Sequence, residues 1–119
     1  DLDECKNIND TDGHEIGDLI LIQFVKIAKE TIRENDLIVR FGGDEFILLL
    51  QNTNIKNAKI IATKIINRVS EYNMSTDVNF LISIGIADYQ EKDLIIDDII
   101  SRADKSLYEA KRAGKNRAV

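Results

Sequence analysis

Proline and tryptophan are missing from this chain, and cysteine, methionine and histidine occur once each in its 119 residues. Without proline, a repeat or a low-complexity stretch, nothing marks a rigid linker or an internal boundary. One domain, large enough to bury a core, is expected over residues 1–119. A lone Cys5 excludes an internal disulfide and makes a reducing compartment the default. With no base beside it in the sequence, Cys5 is not read as a nucleophile. No apolar run approaches the roughly 20 residues that span a bilayer, and no signal peptide is visible. The domain is therefore expected to be cytoplasmic, with any membrane attachment residing in a region before it. An excess of positive charge is also lacking. With 21 acids against 16 lysines and arginines, a net charge of -5 and a pI near 4.9, the surface is unsuited to a nucleic-acid polymer, which needs basic stripes to neutralise phosphates. A single nucleotide stays open, because a metal ion and one or two lysines suffice for a triphosphate.

What is present begins with Arg40-Phe41-Gly42-Gly43-Asp44-Glu45-Phe46. Apolar runs of strand length flank the polar tetrad, Leu37-Ile38-Val39 before it and Phe46 to Leu50 after it, so the tetrad falls where a β-hairpin reverses. Gly42 and Gly43 are expected to accommodate positive φ and to leave room for a ligand near the backbone. Asp44 and Glu45 then stand at an exposed corner held by two buried strands. That placement suits carboxylates that bind a cation with little rearrangement.

Periodicity supplies the rest of the plan. From Glu15 to about Asn35, Leu21, Phe24, Val25, Ala28 and Ile32 recur at helical spacing. Strands are expected over about Asp36 to Phe41 and Glu45 to Leu50. Thr53 or Asn54 can cap a second helix with a stripe of Ala58, Ile61, Ala62, Ile65, Ile66 and Val69, ending near Tyr72-Asn73. Val78 to Tyr89 reads as a central strand with a close approach at Gly85. A last helix carries Asp97 or Asp98 in its first turn and Ile96, Ile99, Ile100, Ala103, Leu107 and Ala110 inward, Gly114 stops it, and Ala118-Val119 can begin another strand. The fold class is α+β. Its order matches the split β-α-β plan of ferredoxin-like and polymerase-palm domains, an antiparallel sheet with helices.

The opening from Asp1 to Asp18 holds five aspartates, two asparagines and two glycines. Composition alone suggests a solvated acidic loop. Its first acids end a strand, however, and Gly17-Asp18 opens a helix, where free backbone N–H groups can receive phosphate. An EF-hand fails: with Gly13 as its required glycine, Ile8 and Leu19 fall where carboxylate ligands are needed.

Asp1-Leu2-Asp3, Asn9-Asp10, Gly13-His14, Gly17-Asp18 and the hairpin tetrad occur in order with Ser83-Ile84-Gly85, Arg102-Ala103-Asp104, Leu107-Tyr108, Ala110-Lys111 and Gly114-Lys115-Asn116-Arg117. Together they resemble the GGDEF family of diguanylate cyclases nearly end to end. The resemblance implies condensation of two GTP into cyclic di-GMP with release of pyrophosphate, by homodimers in which each domain holds one GTP. It implies Mg²⁺, with Mn²⁺ as the alternative, held by the Asp1 carboxylate, the Leu2 carbonyl and Asp44. Asp44 is also the implied base for the attacking 3′-hydroxyl, and Glu45 stands behind it in both roles. Asp3, on the Asp1 face of the strand, is expected in a structural pairing. The implied substrate contacts are Asn9 and Asp18 on the guanine edge, His14 beside the nucleotide, Gly42 and Gly43 at the turn, and Lys111 and Lys115 on the terminal phosphates. Family members have an additional helix and most of a strand before Asp1, so this chain is read as an N-terminally truncated domain.

Arg33 and Asp36 match the family's Arg-x-x-Asp motif, with five residues between Asp36 and Gly42 as in the family, which implies an inhibitory site for cyclic di-GMP. Three positions depart from the family pattern: Cys5 and Asp12 replace aromatic residues, and Lys115 replaces arginine, keeping the charge and losing the bidentate fork. The alternative function is a catalytically inactive module that senses GTP or cyclic di-GMP. A different palm-domain cyclase or polymerase is disfavoured by Asn9 with Asp18 and by the acidic surface.

Overall fold

A computed structural model describes residues 1–3, 14–76 and 79–119. Its elements run β1 (Leu2–Asp3), α1 (His14–Thr31), β2 (Leu37–Arg40), β3 (Phe46–Leu49), α2 (Ile55–Ser75), β4 (Leu81–Ile82) and α3 (Ile96–Arg112). This is the strand-helix-strand-strand-helix-strand-helix order that the periodicity predicts. β1 pairs antiparallel with β4, Leu2 opposite Ile82, and β2 pairs antiparallel with β3, Arg40 opposite Phe46.

The core forms where the apolar stripes of α1 and α2 meet the strands. Leu2, Ile20, Phe24, Ile27, Ala28, Ile65, Val69, Phe80 and Ile82 are its buried members. Each large aliphatic or aromatic side chain among them contributes about 1.5–3 kcal/mol relative to exposure. Phe24 of α1 meets Phe46 of β3 with ring centroids 5.0 Å apart, which seats the hairpin on the helix.

α1 ends at Thr31 rather than Asn35. The Asp36 carboxylate accepts the Arg33 N–H at 3.0 Å, and the Asp36 N–H donates to the Arg33 carbonyl at 3.0 Å. A turn built by that aspartate replaces the last helical turn. At the start of α2 the Asn54 side chain accepts from the Asn57 N–H at 2.8 Å, the cap expected for that residue type. The helix runs to Ser75, beyond the expected Tyr72-Asn73. Asn73 stays inside it and clamps the Phe80 backbone from both sides, Nδ2 to the carbonyl at 2.6 Å and Oδ1 from the N–H at 3.1 Å.

The central strand is shorter than Val78 to Tyr89. Val78 lies outside the described residues, and among those described the pairing beyond β4 is a parallel bridge from Ile84 to Ala118, with Val119 hydrogen-bonded to Ile84 and Ile86. Gly85 explains the interruption. A Cβ there would stand 2.0 Å from the Ala103 carbonyl and 2.3 Å from the Leu107 nitrogen, so α3 lies directly on this backbone.

α3 carries Asp97 and Asp98 in its first turn, and Asp98 accepts from the Leu94 N–H at 2.8 Å. Ile96, expected inward, is 52% exposed: it is the first helical residue, and the buried position of the helix is Ala110 near its other end. Arg102 donates to Asp93 and to the Asp88 carbonyl. That hydrogen bond holds the Asp93 pKa down at about 2. After the helix, Gly114, Lys115 and Asn116 all take positive φ, curling the chain back until the Asn116 N–H reaches Asp3 at 3.1 Å.

The hairpin departs from expectation in one respect. Its strands are covered on one face only, where Ile38, Phe46 and Leu48 pack against the core. Leu37, Val39 and Leu49 are exposed, as the two-residue alternation of a strand dictates when no other described element lies over the second face.

Candidate active site

Backbone hydrogen bonds bring the chain start to the hairpin tip. The Leu2 N–H donates to the Asp44 carbonyl at 3.1 Å, joining β1 to the turn that β2 and β3 hold out. Asp1 is fixed on the other side: its nitrogen donates to the Ser83 carbonyl at 3.0 Å, and the Ser83 N–H returns a 3.0 Å bond to the Asp1 carbonyl. As a result, carboxylate oxygens of Asp1, Asp44 and Glu45 all lie within 4.8 Å of one another. Two unit negative charges at such a separation repel by about 1 kcal/mol in water and by several times that at a protein surface. A cation shared among them removes the repulsion.

The turn is built by Arg40. Its Nε donates to the Gly42 carbonyl at 3.2 Å and its Nη2 to the Gly43 carbonyl at 2.7 Å, while the Glu45 carbonyl accepts from the N–H groups of Phe41 and Gly42. The glycines' capacity for positive φ is not used, because this reversal is closed by the guanidinium and the Glu45 carbonyl rather than by a left-handed residue. What glycine provides is space. Among the described residues nothing lies within 4 Å of where a Gly43 Cβ would be, and a Gly42 Cβ would stand 3.2 Å from Glu45 Oε2. Sequence reasoning missed Arg40 as a turn builder. The available signal was a long side chain with several donors two residues ahead of the first glycine.

Asp1 and Asp44 are partly buried and Glu45 is exposed; among the described residues, Asp1 is the one of the three in an ion pair. Its side chain is only 9% exposed, and Oδ2 accepts from Lys111 Nζ at 2.8 Å. Oδ1 is buried and has no hydrogen-bond partner among the described residues, which is uncommon for a carboxylate oxygen out of water. Three hard oxygen donors, one of them buried and unpartnered, fit Mg²⁺. Leu2, the implied carbonyl ligand, is buried in β1 directly after Asp1. Asp3 takes the structural pairing expected of it, accepting Ser83 Oγ at 2.8 and 2.9 Å and the Asn116 N–H.

Of the implied phosphate ligands, Lys111 stands in the last turn of α3 against Asp1, and Lys115 is half-buried at φ 64°. Arg112 lies over the Tyr108 ring at 5.8 Å, and Arg117 donates to the Lys115 carbonyl at 3.0 Å. Asp18 is exposed on the first half of α1, and Gly17 beside it is buried. Asn9, Cys5, Asp12 and the side chain of His14 lie outside the described residues.

Arg33 and Asp36 sit at the other end of the hairpin. Asp36 accepts from the Gln51 N–H at 2.9 Å as well as from Arg33, and its side chain is 1% exposed. Burial alone would raise its pKa. The backbone bonds from Gln51 and Arg33 and the Arg33 charge outweigh burial, so the carboxyl titrates below its ordinary value. The Arg33 side chain is 61% exposed and donates through Nη2 to the Gln51 carbonyl and to Thr53 Oγ1.

Known proteins share this arrangement of elements. Residues 1–117 match the family described as diguanylate cyclase, GGDEF domain. The chain is 42% identical over 120 residues to Diguanylate cyclase A of Treponema denticola, covering 98% of this chain and 32% of that protein. It superposes on the active GGEEF domain of a diguanylate cyclase from Vibrio cholerae with a TM-score of 0.88 and 35% identity, over 99% of this chain and 76% of that one. The GGDEF domain of DgcB from Caulobacter crescentus, solved in complex with cyclic di-GMP, gives a TM-score of 0.91 at 26% identity, over 100% and 72%. The chain thus spans about a third of the length of curated relatives, 32% and 29% in two cases. Matched along nearly all of its length in sequence and in fold, the chain belongs to the GGDEF-domain family of diguanylate cyclases.

Proposed function

We propose that this domain synthesises cyclic di-GMP from two molecules of GTP, with Asp1, Leu2 and Asp44 holding Mg²⁺ or Mn²⁺. The observation that carries the reading is the convergence of Asp1, Asp44 and Glu45 within 4.8 Å, with one Asp1 oxygen buried and unpartnered among the described residues. When bound, the metal polarises the phosphates and lowers the pKa of the nucleophilic hydroxyl.

The chain's own residues supply the remainder. Asp44 accepts the proton of the 3′-hydroxyl as that oxygen bonds to the α-phosphorus of the second GTP; the bond to the bridging oxygen breaks, and pyrophosphate leaves. Repetition in the opposite sense closes the ring. Glu45 supports Asp44, and the open space over Gly43 admits the phosphates. Lys111 and Lys115 neutralise the terminal phosphates, where an ammonium acts as a compact point charge. Asn9 and Asp18 read the guanine edge, and His14 stands beside the nucleotide. Since the product has two-fold symmetry and one domain holds one GTP, two copies meet face to face.

Arg33 and Asp36 form the proposed product-inhibition site. Support comes from the offset to the signature and from the exposed Arg33 guanidinium. Asp36, nearly inaccessible, orients Arg33 rather than meeting the ligand broadly. The experiment that tests the reading is mass analysis of the products after incubation with GTP and Mg²⁺. A mass corresponding to cyclic di-GMP, together with pyrophosphate, is expected; unchanged GTP from a protein that includes the full domain would overturn it.

A further inference from the structure

The Lys111 ammonium lies against Asp1, one of the three clustered carboxylates. Its Nζ is 2.8 Å from Asp1 Oδ2, the Asp1 side chain is 9% exposed and that of Lys111 37%, and the other Asp1 oxygen has no partner among the described residues. One ammonium cannot satisfy three carboxylates within 4.8 Å. Its flexible stem emerges from the last turn of α3, and it holds Asp1 through a single bond rather than through a fork.

We infer that Lys111 is a placeholder for the metal: it compensates Asp1 until a divalent cation arrives, and is then released toward the nucleotide phosphates. The inference rests on the cyclase reading of the site and adds a coupling to it. Without nucleotide, a divalent cation on the free Asp1 oxygen stands beside the ammonium held on the other, and their repulsion weakens the Lys111 to Asp1 ion pair with no new anion to offset the loss. With a triphosphate present, the displaced ammonium gains a new anion at the moment it loses the old one. Metal and nucleotide therefore bind with positive cooperativity, and by linkage each raises the affinity of the other by the same factor. A lysine acting only on phosphate, with no hold on Asp1, produces no such coupling through the protein.

The test is titration calorimetry with MnCl₂ alone, without nucleotide, on the parent chain and on Lys111→Met. Removal of the competing ammonium should tighten Mn²⁺ binding at least about threefold, since the removed charge is in contact with a ligand. Lys105→Met makes the same change of net charge at an exposed site on α3 and should leave the affinity unaltered. Lys111→Gln is the second neutral variant should the methionine form fold poorly. In the parent chain, the Lys111 side-chain NMR resonances should shift as Mn²⁺ is replaced by diamagnetic Mg²⁺ in a parallel titration. Equal or weaker Mn²⁺ binding by a folded neutral variant, or Lys111 resonances indifferent to Mg²⁺, would overturn the placeholder role. Loss of Mn²⁺ binding in Asp44→Ala in the same series would leave the metal-site reading standing, so the two failures are separable. If no chain in the series binds Mn²⁺, both fall.

Discussion

The two ends of the β2–β3 hairpin each carry an aspartate and an arginine, and they use them in opposite ways. At the base, both Asp36 oxygens receive backbone N–H groups, from Arg33 and from Gln51, and the side chain is sealed from solvent. At the tip, Arg40 spends its donors on the carbonyls of Gly42 and Gly43, leaving Asp44 and Glu45 beside Asp1 with like charges converging. An acid whose oxygens are filled by the fold stabilises it. Acids crowded together without such partners lower the stability of the fold and gain only when a cation arrives.

The largest effect expected from this contrast is at the tip. Asp44→Ala removes a proposed metal ligand and the proposed base, so cyclic di-GMP synthesis should fall by at least about 100-fold. Thermal stability should hold or rise slightly, because one of three mutually repelling charges is gone. Initial rates and a melting curve on the same preparation check both halves. Parent-like synthesis would place the base elsewhere.

At the base the pattern should invert. Asp36→Ala leaves the N–H groups of Gln51 and Arg33 without their acceptor, and two bonds to a charged acceptor are together worth about 2–4 kcal/mol. Urea denaturation should show that loss. A loss within about 0.5 kcal/mol would mean that water replaces the carboxylate and that the base is not a closed site.

Acid should find the same difference. The Asp36 carboxyl is held below its ordinary value in the folded chain, so its stabilisation is fully present above the unfolded pKa of about 3.9. It is lost as pH falls through the lower folded value, because the unfolded chain then binds the proton first. Comparing stability at pH 5 and near pH 3, the parent should lose more than Asp36→Asn does. Equal losses would remove Asp36 from the acid response.

Much of this contrast was legible in the sequence, and the missing part has a definite physical origin. Strand-length apolar runs on either side of Gly42 to Glu45 fixed the hairpin, helical periodicity fixed α1, α2 and α3, and a glycine in a strand pattern signalled the approach of another backbone at Gly85. Side chains that satisfy backbone groups were not legible. Asp36 ends α1 early, Asn73 ties α2 to Phe80, and Arg40 closes the turn, and each bond joins partners whose proximity is decided only after the chain has folded. The exposed face of Leu37, Val39 and Leu49 escaped for a related reason. An apolar run states that a strand can be buried on both faces, and does not state what covers the second one.

A smaller effect is expected at Arg40. Its side chain is exposed, so Arg40→Ala should change folding stability by no more than about 0.5 kcal/mol. The turn carbonyls of Gly42 and Gly43 lose their donors, and the Asp44 backbone, joined to Leu2 by one hydrogen bond, gains freedom. Weakened divalent-metal binding at unchanged stability, by about two- to tenfold for one lost contact, is the expected outcome. Arg40→Lys should recover only part of it, because one ammonium does not reproduce the fork that spans both carbonyls.

The smallest change in the basal reaction should come from Arg33→Ala, which is nonetheless the sharpest test of whether the base does more than hold the fold. The guanidinium is 61% exposed and contacts Gln51 and Thr53, far in sequence from Asp1 and outside the cluster with Asp44 and Glu45. Asp36 keeps its backbone bonds from Gln51 and Arg33 in this variant, so folding should lose no more than about 1 kcal/mol. The initial rate should stay near the parent's. If cyclic di-GMP is clamped by Arg33, its binding shifts the domains toward an unproductive arrangement only to the extent that it prefers that state, and removing the clamp abolishes the preference. Progress curves at saturating GTP, with cyclic di-GMP added at the start, should slow for the parent and stay linear for Arg33→Ala. Equal slowing of both would reduce Arg33 and Asp36 to a helix-end ion pair, and the two ends of the hairpin would then divide cleanly into one that binds and one that only folds.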